Sequence, residues 1–191
     1  YIDTSAVYRA AGYYFITKKI PMTEEEILKN IDLINIKLKY IDGETIVYLN
    51  GKDITSYIRT EEISMAASNI SKNKYIRKKL VKLQREMAGE ESVVLEGRDI
   101  TTVVFPNADL KVFLTASIEV RAKRRQRDLE KKGNYMDIEE VKASLQKRDI
   151  QDSTRKESPL TKVKDAIEID TTNLTNEKTV DMVISLLKER I

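Results

Sequence analysis

The sequence predicts an α/β fold in which helices cover both faces of a parallel sheet, with a small antiparallel β insertion. Two observations support this prediction. From residue 76 onward, short apolar segments typical of strands alternate with longer segments of helical periodicity, a pattern typical of a helix-covered parallel sheet. Over residues 31–75, apolar and polar side chains instead alternate one by one between turn signals, which indicates antiparallel strands. The 191 residues suffice for one core, formed by 1–30 and 76–191, and this appendage.

The first 30 residues predict a strand end and two helices. Residues 1–4 are typical of the end of a strand, and because the first residue is Tyr and not Met, we expect an upstream segment. Residues 5–17 are rich in alanine and aromatic side chains and predict a helix that Pro21 ends. Thr23 stands directly before three glutamates, which predicts an N-cap followed by an acidic first turn.

The insertion is predicted to be a short meander. In residues 34–40, isoleucine, leucine and tyrosine alternate with asparagine and lysine, as in a half-buried strand. Asp-Gly at 42–43 and Asn-Gly at 50–51 are hairpin signals, and they flank a second short strand over 45–49. Such a sheet is too small to bury a core alone, so we expect it to rest on the larger body.

The remaining chain predicts a helix followed by three strands of the parallel sheet. Apolar residues three and four apart from Ile76 to Met87 predict a helix that Gly89 ends. The strands are predicted at 92–95, where the segment is apolar enough to be buried, and at 110–115 and 166–169. Three further helices are predicted from their N-caps: Ser117, with a basic helix to about Lys132; Asp137, with capping-box spacing to Glu140; and Thr175.

Polar residues follow three of these strands. Because such folds bind ligands at the carboxyl ends of their strands, we expect Asp-Thr at 3–4, Gly-Arg-Asp at 97–99 and Asp-Thr at 170–171 to line one crevice. Gly97 would let the backbone approach a ligand closely, and Arg98 with Asp99 could bind a phosphate and a base edge together. An ordinary turn with a surface ion pair is equally consistent with this short motif.

Composition narrows the chemistry that the chain can perform. The 34 Lys and Arg residues nearly balance 31 Asp and Glu residues, and the chain has no His and no Cys. A His- or Cys-based nucleophile, a zinc site of the usual type and a disulfide framework are therefore excluded. No apolar run approaches the roughly 20 residues that cross a bilayer, and the cytoplasm is the default expectation.

One spacing near the C-terminus suits an anionic ligand. Arg148, Asp152 and Arg155 stand at i, i+4 and i+7, so a continuing helix would place all three on one face. Two guanidiniums offer forked donors to phosphate oxygens, and the carboxylate between them could hold one fork or a ribose hydroxyl. On spacing alone, a solvated face with an ordinary ion pair is the simpler interpretation, and both remain open.

Two further motifs are weaker. Residues 121–127 contain five cations, which could bind nucleic acid. The charges encircle the predicted helix, however, which favours a solvated helix with some cations facing an anionic ligand. A phosphate-binding loop of the form G-x-x-x-x-G-K-[ST] is absent, because Gly51-Lys52 is followed by Asp53.

Taken together, the motifs resemble bacterial cytidylate kinases, a family of nucleoside monophosphate kinases of the P-loop type. The resemblance covers essentially the whole chain, and the insertion at 31–75 is similar to the one that sets this family apart. The matching segments are residues 1–10, the loop 97–106, a lid segment 148–155 continuing through 158–160 and 165–166, and the strand end 169–172.

The resemblance implies transfer of the γ-phosphoryl group of ATP, with Mg²⁺, to CMP or dCMP, giving CDP or dCDP. It also implies a monomeric cytoplasmic enzyme with no nucleic-acid or membrane partner, in which residues 31–75 bind the monophosphate and residues 133–160 form the lid. The substrate-binding residues it implies are Asp99, Arg77 and Ser68 for cytosine, and Thr4, Arg9 and Arg98 for the monophosphate. The catalytic residues it implies are Arg148 and Asp152 at the ribose and in lid closure, and Arg155 at the phosphates.

Three departures from the family pattern bear on these expectations. The phosphate loop of the family would precede Tyr1, so we expect the sequence as it stands to hold CMP but hardly to catalyse transfer. Ser5 and Thr101 stand where the family usually has glycine. The alternatives are a related kinase for UMP or AMP, and a non-catalytic nucleotide- or RNA-binding module.

Overall fold

The computed structural model describes residues 1–131 and 133–190. The strands of this part are β1 Ile2–Asp3, β2 Ile36–Ile41, β3 Glu44–Leu49, β4 Lys52–Asp53, β5 Leu95–Glu96, β6 Val112–Thr115 and β7 Ile167–Asp170. Its α-helices are α1 Thr4–Thr17, α2 Glu24–Asn30, α3 Glu61–Ile70, α4 Lys74–Ala88, α5 Ile118–Glu130, α6 Ile138–Thr154 and α7 Asn176–Lys188. None of these described helices is both long and apolar enough to span a bilayer.

The parallel strands form two pairs, which confirms the predicted α/β class. In the first pair, β1 lies beside β5, with Asp3 opposite Glu96. In the second pair, β6 lies beside β7, with Thr115 opposite Asp170. Helices follow β1 and β6 directly, so the carboxyl ends of these strands lead into helix N-termini.

The insertion contains the predicted meander, with β2, β3 and β4 in antiparallel order. The turn at 42–43 and the turn at 50–51 have positive φ at all four residues. Asn, Asp and Gly tolerate this left-handed conformation at the lowest steric cost, which is why the two dipeptides are reliable hairpin signals.

The predicted helix starts are confirmed. Thr23, Ser117, Asp137 and Thr175 each accept a hydrogen bond from a backbone N–H in the first turn of the helix that follows. Gly89, at φ 56°, follows the last residue of α4 as predicted. The predicted end of the basic helix at Lys132 lies outside the described residues.

Two local predictions about strands and helices need correction. The buried strand predicted at 92–95 is wrong in extent and burial, because pairing begins at Leu95 and the side chain of Val94 is 66% exposed. Helix α3 was not predicted, although Thr60 caps it before two glutamates in the same way that Thr23 caps α2. Its apolar residues are interrupted by serines and asparagine, which weakens the helical pattern.

The main apolar core joins α1 to the insertion and to α4. Phe15 on α1, Val47 on β3 and Leu80 on α4 are all fully buried in this cluster. Helices α1 and α3 approach so closely that a Cβ on Gly12 would lie 3.0 Å from the backbone nitrogen of Ala67. This packing holds α3 and α1 in a fixed relation, and both helices carry residues of the site.

Candidate active site

A buried ion pair joins Arg77 on α4 to Asp99. Nη2 of Arg77 donates to Oδ2 of Asp99, and each residue is only 4% exposed. Nη1 of Arg77 donates to the carbonyl oxygen of Ser71 at 3.1 Å. Asp99 stands before a single π-helical turn, Ile100–Val104, in which the N–H of Phe105 donates to the carbonyl oxygen of Ile100 at 2.7 Å. The pair therefore presents a carboxylate whose position is fixed from two elements.

Asp152 brings together three other residues predicted for the site. Its Oδ1 accepts from Ser68 Oγ at 3.4 Å and lies 3.6 Å from Arg155 Nη1. Its Oδ2 lies 3.3 Å from Nε of Arg98. Asp152 is 3% exposed and Arg155 is 8% exposed, so the solvated-face interpretation of this segment is excluded.

The helix that carries Asp152 ends just before Arg155. Helix α6 stops at Thr154, and Arg155 has extended backbone angles of φ −62° and ψ 143°. The helix does not continue far enough to place Arg155 on one face with Arg148 and Asp152, and Arg155 instead joins the site through its own contacts. Its Nε donates to the carbonyl oxygen of Ser158 at 2.8 Å, and its Nη1 donates to Ser71 Oγ at 3.0 Å.

Arg9 on α1 and Arg148 on α6 are cations with few protein acceptors. Among the residues that the structure describes, neither has a hydrogen-bond or ion-pair partner, and Nε of Arg148 is buried. Burial, with Arg59 nearby, lowers the pKa of Arg9 to about 10. Burial, with Arg98 nearby, also lowers the pKa of Arg148. Several guanidiniums held close together with little neutralisation form a strong site for a phosphate anion.

Further charged residues, which were not predicted from the sequence, lie near Arg9 and Arg148. Arg59 Nη2 lies 2.9 Å from Asp3 Oδ2, beside a cavity of about 910 Å³. Arg125 Nη2 lies 2.9 Å from Glu61 Oε2, and Ser144 donates to Glu61 Oε1. Burial raises the pKa of Glu61, but the hydrogen bonds from Ser144 and Arg125 outweigh it and hold the pKa below its ordinary value. Only the basic run at 121–127 offered a signal, and it did not single out Arg125.

Thr4 and Gly97 pack against each other at the ends of β1 and β5. Thr4 Oγ1 donates to the carbonyl oxygen of Glu96 at 2.6 Å. A Cβ on Gly97 would lie 2.3 Å from Thr4 Oγ1 and 2.8 Å from a side-chain carbon of Ile100. The close approach that requires glycine here is thus to Thr4 and Ile100, within the protein. Ser5 fits the helix start, since its hydroxyl donates to Asp3 Oδ1 at 2.6 Å.

Two of the three segments predicted to line one crevice lie next to each other, and the third does not join them. Asp3-Thr4 and the loop at 97–99 are adjacent through the contacts of Thr4. Thr171 instead accepts from Arg124 Nη1 at 2.9 Å and donates to the carbonyl oxygen of Thr115 at 2.9 Å. The contacts of Thr171 therefore place it against α5 and β6 rather than against the site arginines.

Most arginines of helix α5 form hydrogen bonds or ion pairs with other parts of the protein. Arg121 donates to the carbonyl oxygen of Ala116 at 3.0 Å and pairs with Asp149 on α6. Arg124 donates to both the hydroxyl and the carbonyl oxygen of Thr171. Lys123 and Arg127 are exposed. A helix whose arginines hold its own neighbours in place is a poor nucleic-acid surface, so the geometry does not favour an RNA-binding module.

Comparisons with known proteins agree with this geometry. A family model described as cytidylate kinase matches residues 1–189. The chain is 44% identical over 191 residues to a protein of Lactobacillus gasseri named cytidylate kinase, covering all of this chain and 83% of that protein. A cytidylate kinase of Caldicellulosiruptor saccharolyticus is 44% identical over 187 residues, covering 97% of this chain and 83% of the relative. One from Thermotoga sp. is 42% identical over 192 residues, covering the whole chain and 86% of the relative.

Proposed function

Because the chain belongs to the cytidylate kinase family, it is a nucleoside monophosphate kinase, and we propose that the arginine-rich site binds its CMP or dCMP substrate. The reaction transfers the γ-phosphoryl group of ATP to the phosphate of CMP or dCMP, giving CDP or dCDP. The observation that supports the site assignment most is the buried Arg77–Asp99 pair, which lies in one cluster with Ser68, Asp152 and Arg155.

Cytosine recognition is proposed for Asp99, Arg77 and Ser68. Cytosine presents an exocyclic amine that donates, and N3 and O2 that accept. In this proposal Arg77 holds one oxygen of the Asp99 carboxylate, and the carboxylate accepts from the amine. Arg77 donates to a ring acceptor, and Ser68 redirects its one hydroxyl hydrogen from Asp152 to the ring. Uracil would place a carbonyl oxygen against Asp99 and leave a buried carboxylate unpaired, which is strongly unfavourable.

The monophosphate is proposed to bind at Arg9 and Arg98, with Thr4 at the edge of the subsite. Arg9 is the best candidate, because burial lowers its pKa and its guanidinium has no acceptor among residues 1–131 and 133–190. A phosphate oxygen would supply the missing acceptor and neutralise the charge. Thr4 already donates to the carbonyl oxygen of Glu96, so in this proposal its hydroxyl redirects that hydrogen to a phosphate oxygen as the phosphate binds.

Catalysis is proposed for Arg148, Asp152 and Arg155 in the lid. Asp152 already lies next to Ser68 and Arg155, so a nucleotide ribose in this position would be held between the lid and α3. Arg155 would reach the phosphates and neutralise the negative charge that moves between the two nucleotides. Lid closure would exclude water, which otherwise competes as phosphoryl acceptor. No covalent intermediate is required, in agreement with the lack of His and Cys.

We propose that Mg²⁺ enters with ATP as co-substrate. The described residues contain no group of three or more acidic side chains that could hold a metal ion. Mg²⁺ in such enzymes is bound largely by substrate phosphates and water, and we assign none of these residues as its ligand. On the protein side, the arginines position the substrate phosphates and neutralise their charge.

The test is a coupled assay of ADP formation by the full-length protein, with CMP, dCMP, UMP and AMP as phosphoryl acceptors. We expect CMP or dCMP to give the highest kcat/KM by at least about 100-fold over UMP, because uracil leaves Asp99 unpaired. A higher kcat/KM for UMP or AMP would overturn the assignment of Asp99, Arg77 and Ser68. Saturable binding of CMP without ATP, measured by calorimetry, tests the nucleotide site independently of turnover.

A further inference from the structure

Tyr8 on α1 is a buried tyrosine whose hydroxyl has no hydrogen-bond partner among residues 1–131 and 133–190. The residue is 9% exposed, and its hydroxyl is buried. Burying a hydroxyl without a partner is unfavourable, and a phenylalanine would fill the same space without that cost. A tyrosine at this position therefore calls for an acceptor that the protein itself does not supply.

The surroundings of Tyr8 place it in the proposed base subsite. The guanidinium carbon of Arg77 lies 5.4 Å from the centre of the Tyr8 ring, a cation–π distance. The charges of Arg77, Asp99 and Arg155 all act on the Tyr8 hydroxyl, and burial raises its pKa to about 12. The phenol is thus protonated at neutral pH and available as a donor. Nη2 of Arg155 is likewise buried without a partner among the described residues.

We propose that the Tyr8 hydroxyl is a further substrate-binding group that donates a hydrogen bond to a ring acceptor of cytosine, beside the Arg77–Asp99 pair. The ring of Tyr8 would support the Arg77 guanidinium from one side, while its hydroxyl adds a donor to those of Arg77 and Ser68. This inference rests on the proposed function, because it names another residue of the same site.

Tyr14, on the same helix, offers a matched control. It is 2% exposed, and its hydroxyl donates to Oδ1 of Asn30 at 3.1 Å, away from the site. Tyr8→Phe and Tyr14→Phe each remove one oxygen atom from a buried tyrosine of α1. Only the second removes a hydrogen bond that the free protein already makes. We therefore expect Tyr8→Phe to weaken nucleotide binding without loss of stability, and Tyr14→Phe to lower stability without weakening nucleotide binding.

The experiment measures the Kd of CMP by calorimetry, the Kd of inorganic phosphate by competition, and Tm without ligand. For Tyr8→Phe we expect the Kd of CMP to rise about five- to tenfold, the Kd of phosphate to stay unchanged, and Tm to stay unchanged or rise. For Tyr14→Phe we expect Tm to fall by a few degrees and the Kd of CMP to stay unchanged.

Three results would overturn the inference. A Kd of CMP within twofold of the wild-type value would show that the Tyr8 hydroxyl does not contact the nucleotide. An equal loss of affinity for CMP and for phosphate would assign the hydroxyl to the phosphate instead of the base. A fall in Tm as large as that of Tyr14→Phe would show a partner inside the protein. Wild-type protein that fails to bind CMP would instead overturn the proposed function, and this inference with it.

Discussion

Two groups of arginines lie in different parts of this molecule and have different surroundings. On α5, Arg121 and Arg124 donate to backbone and side-chain oxygens of neighbouring elements. In the candidate site, Arg9 and Arg148 have no such acceptors among the described residues, and burial lowers the pKa of both. Positive charge alone therefore does not mark a ligand site. A lack of protein acceptors does, because a desolvated cation without an acceptor is destabilising until an anion binds.

Arg155 shares features of both groups. It is 8% exposed and donates to Ser71 and Ser158, yet its Nη2 is buried without a partner in the described part of the chain. Burial, together with the charge of Arg77, lowers its pKa. Its protein contacts hold the guanidinium in position, and the free nitrogen leaves one donor for a phosphate oxygen. This is the combination expected of an arginine that acts in phosphoryl transfer.

The largest effect is expected for Arg155→Ala. If Arg155 neutralises charge on the transferring phosphoryl group, kcat should fall about 10³-fold or more, the scale of an arginine finger. Arg121→Ala is the matched control from α5, and its kcat should stay within about threefold of wild type while Tm falls. Both variants are made in the full-length protein, and their kcat is measured by steady-state kinetics with saturating CMP and ATP. A loss below about tenfold for Arg155→Ala would give this residue a structural role and remove the distinction between the two groups.

A smaller effect, on substrate choice, is expected for Asp99→Asn. The amide would present a donor where cytosine has its amine and where uracil has a carbonyl oxygen, so the ratio of kcat/KM for CMP to that for UMP should fall about 100-fold. This ratio cancels any general loss caused by leaving Arg77 without its ion pair. Asp128→Asn, on the exposed face of α5, should leave the ratio unchanged. An unaltered ratio in Asp99→Asn would place cytosine recognition elsewhere.

The smallest effect compares Arg9→Met with Arg124→Met by thermal unfolding without ligand. Methionine fills a similar space without a charge, so Arg9→Met should raise Tm by a few degrees, because it removes a half-buried cation that has no acceptor among the described residues. The same change at Arg124 should lower Tm, since carbonyl oxygens of Thr171 and Leu174 lose their donor. Thermal stabilisation by CMP should disappear in Arg9→Met. Equal destabilisation of both variants would contradict the distinction between arginines with and without protein acceptors.

Much of the fold could be predicted from residues close together in the chain. The hairpin turns follow from Asp-Gly and Asn-Gly, and the helix starts follow from Thr23, Ser117 and their equivalents. The strand predicted at 92–95 was wrong in extent because an apolar segment does not reveal how far the neighbouring strand extends. Strand β1 pairs with this segment only at Leu95 and Glu96. Helix α3 was missed because its burial depends on close contact with α1.

The site was predicted more fully as a set of residues than as an arrangement. The spacing of Arg148, Asp152 and Arg155 is local, and the strand ends indicated Thr4, Arg98 and Asp99. The resemblance to cytidylate kinases supplied Ser68 and Arg77. The ion pair of Arg125 with Glu61 and the buried hydroxyl of Tyr8 carry no local signal. The hydrogen bond between Ser68 and Asp152 spans 84 residues of sequence, so neither local segment predicts that the two side chains come together.

The sequence by itself determined the α/β class, the caps, the turns and the exclusion of His and Cys chemistry, because these depend on composition and on side chains within a few residues. Only the tertiary structure decided which arginines have protein acceptors and which are half-buried without one in the described part of the chain. Arg124 finds its acceptor 47 residues away at Thr171, whereas Arg9 finds none among the described residues. Desolvation and ion pairing are set by distance in space, and that distance exists only after the chain has folded.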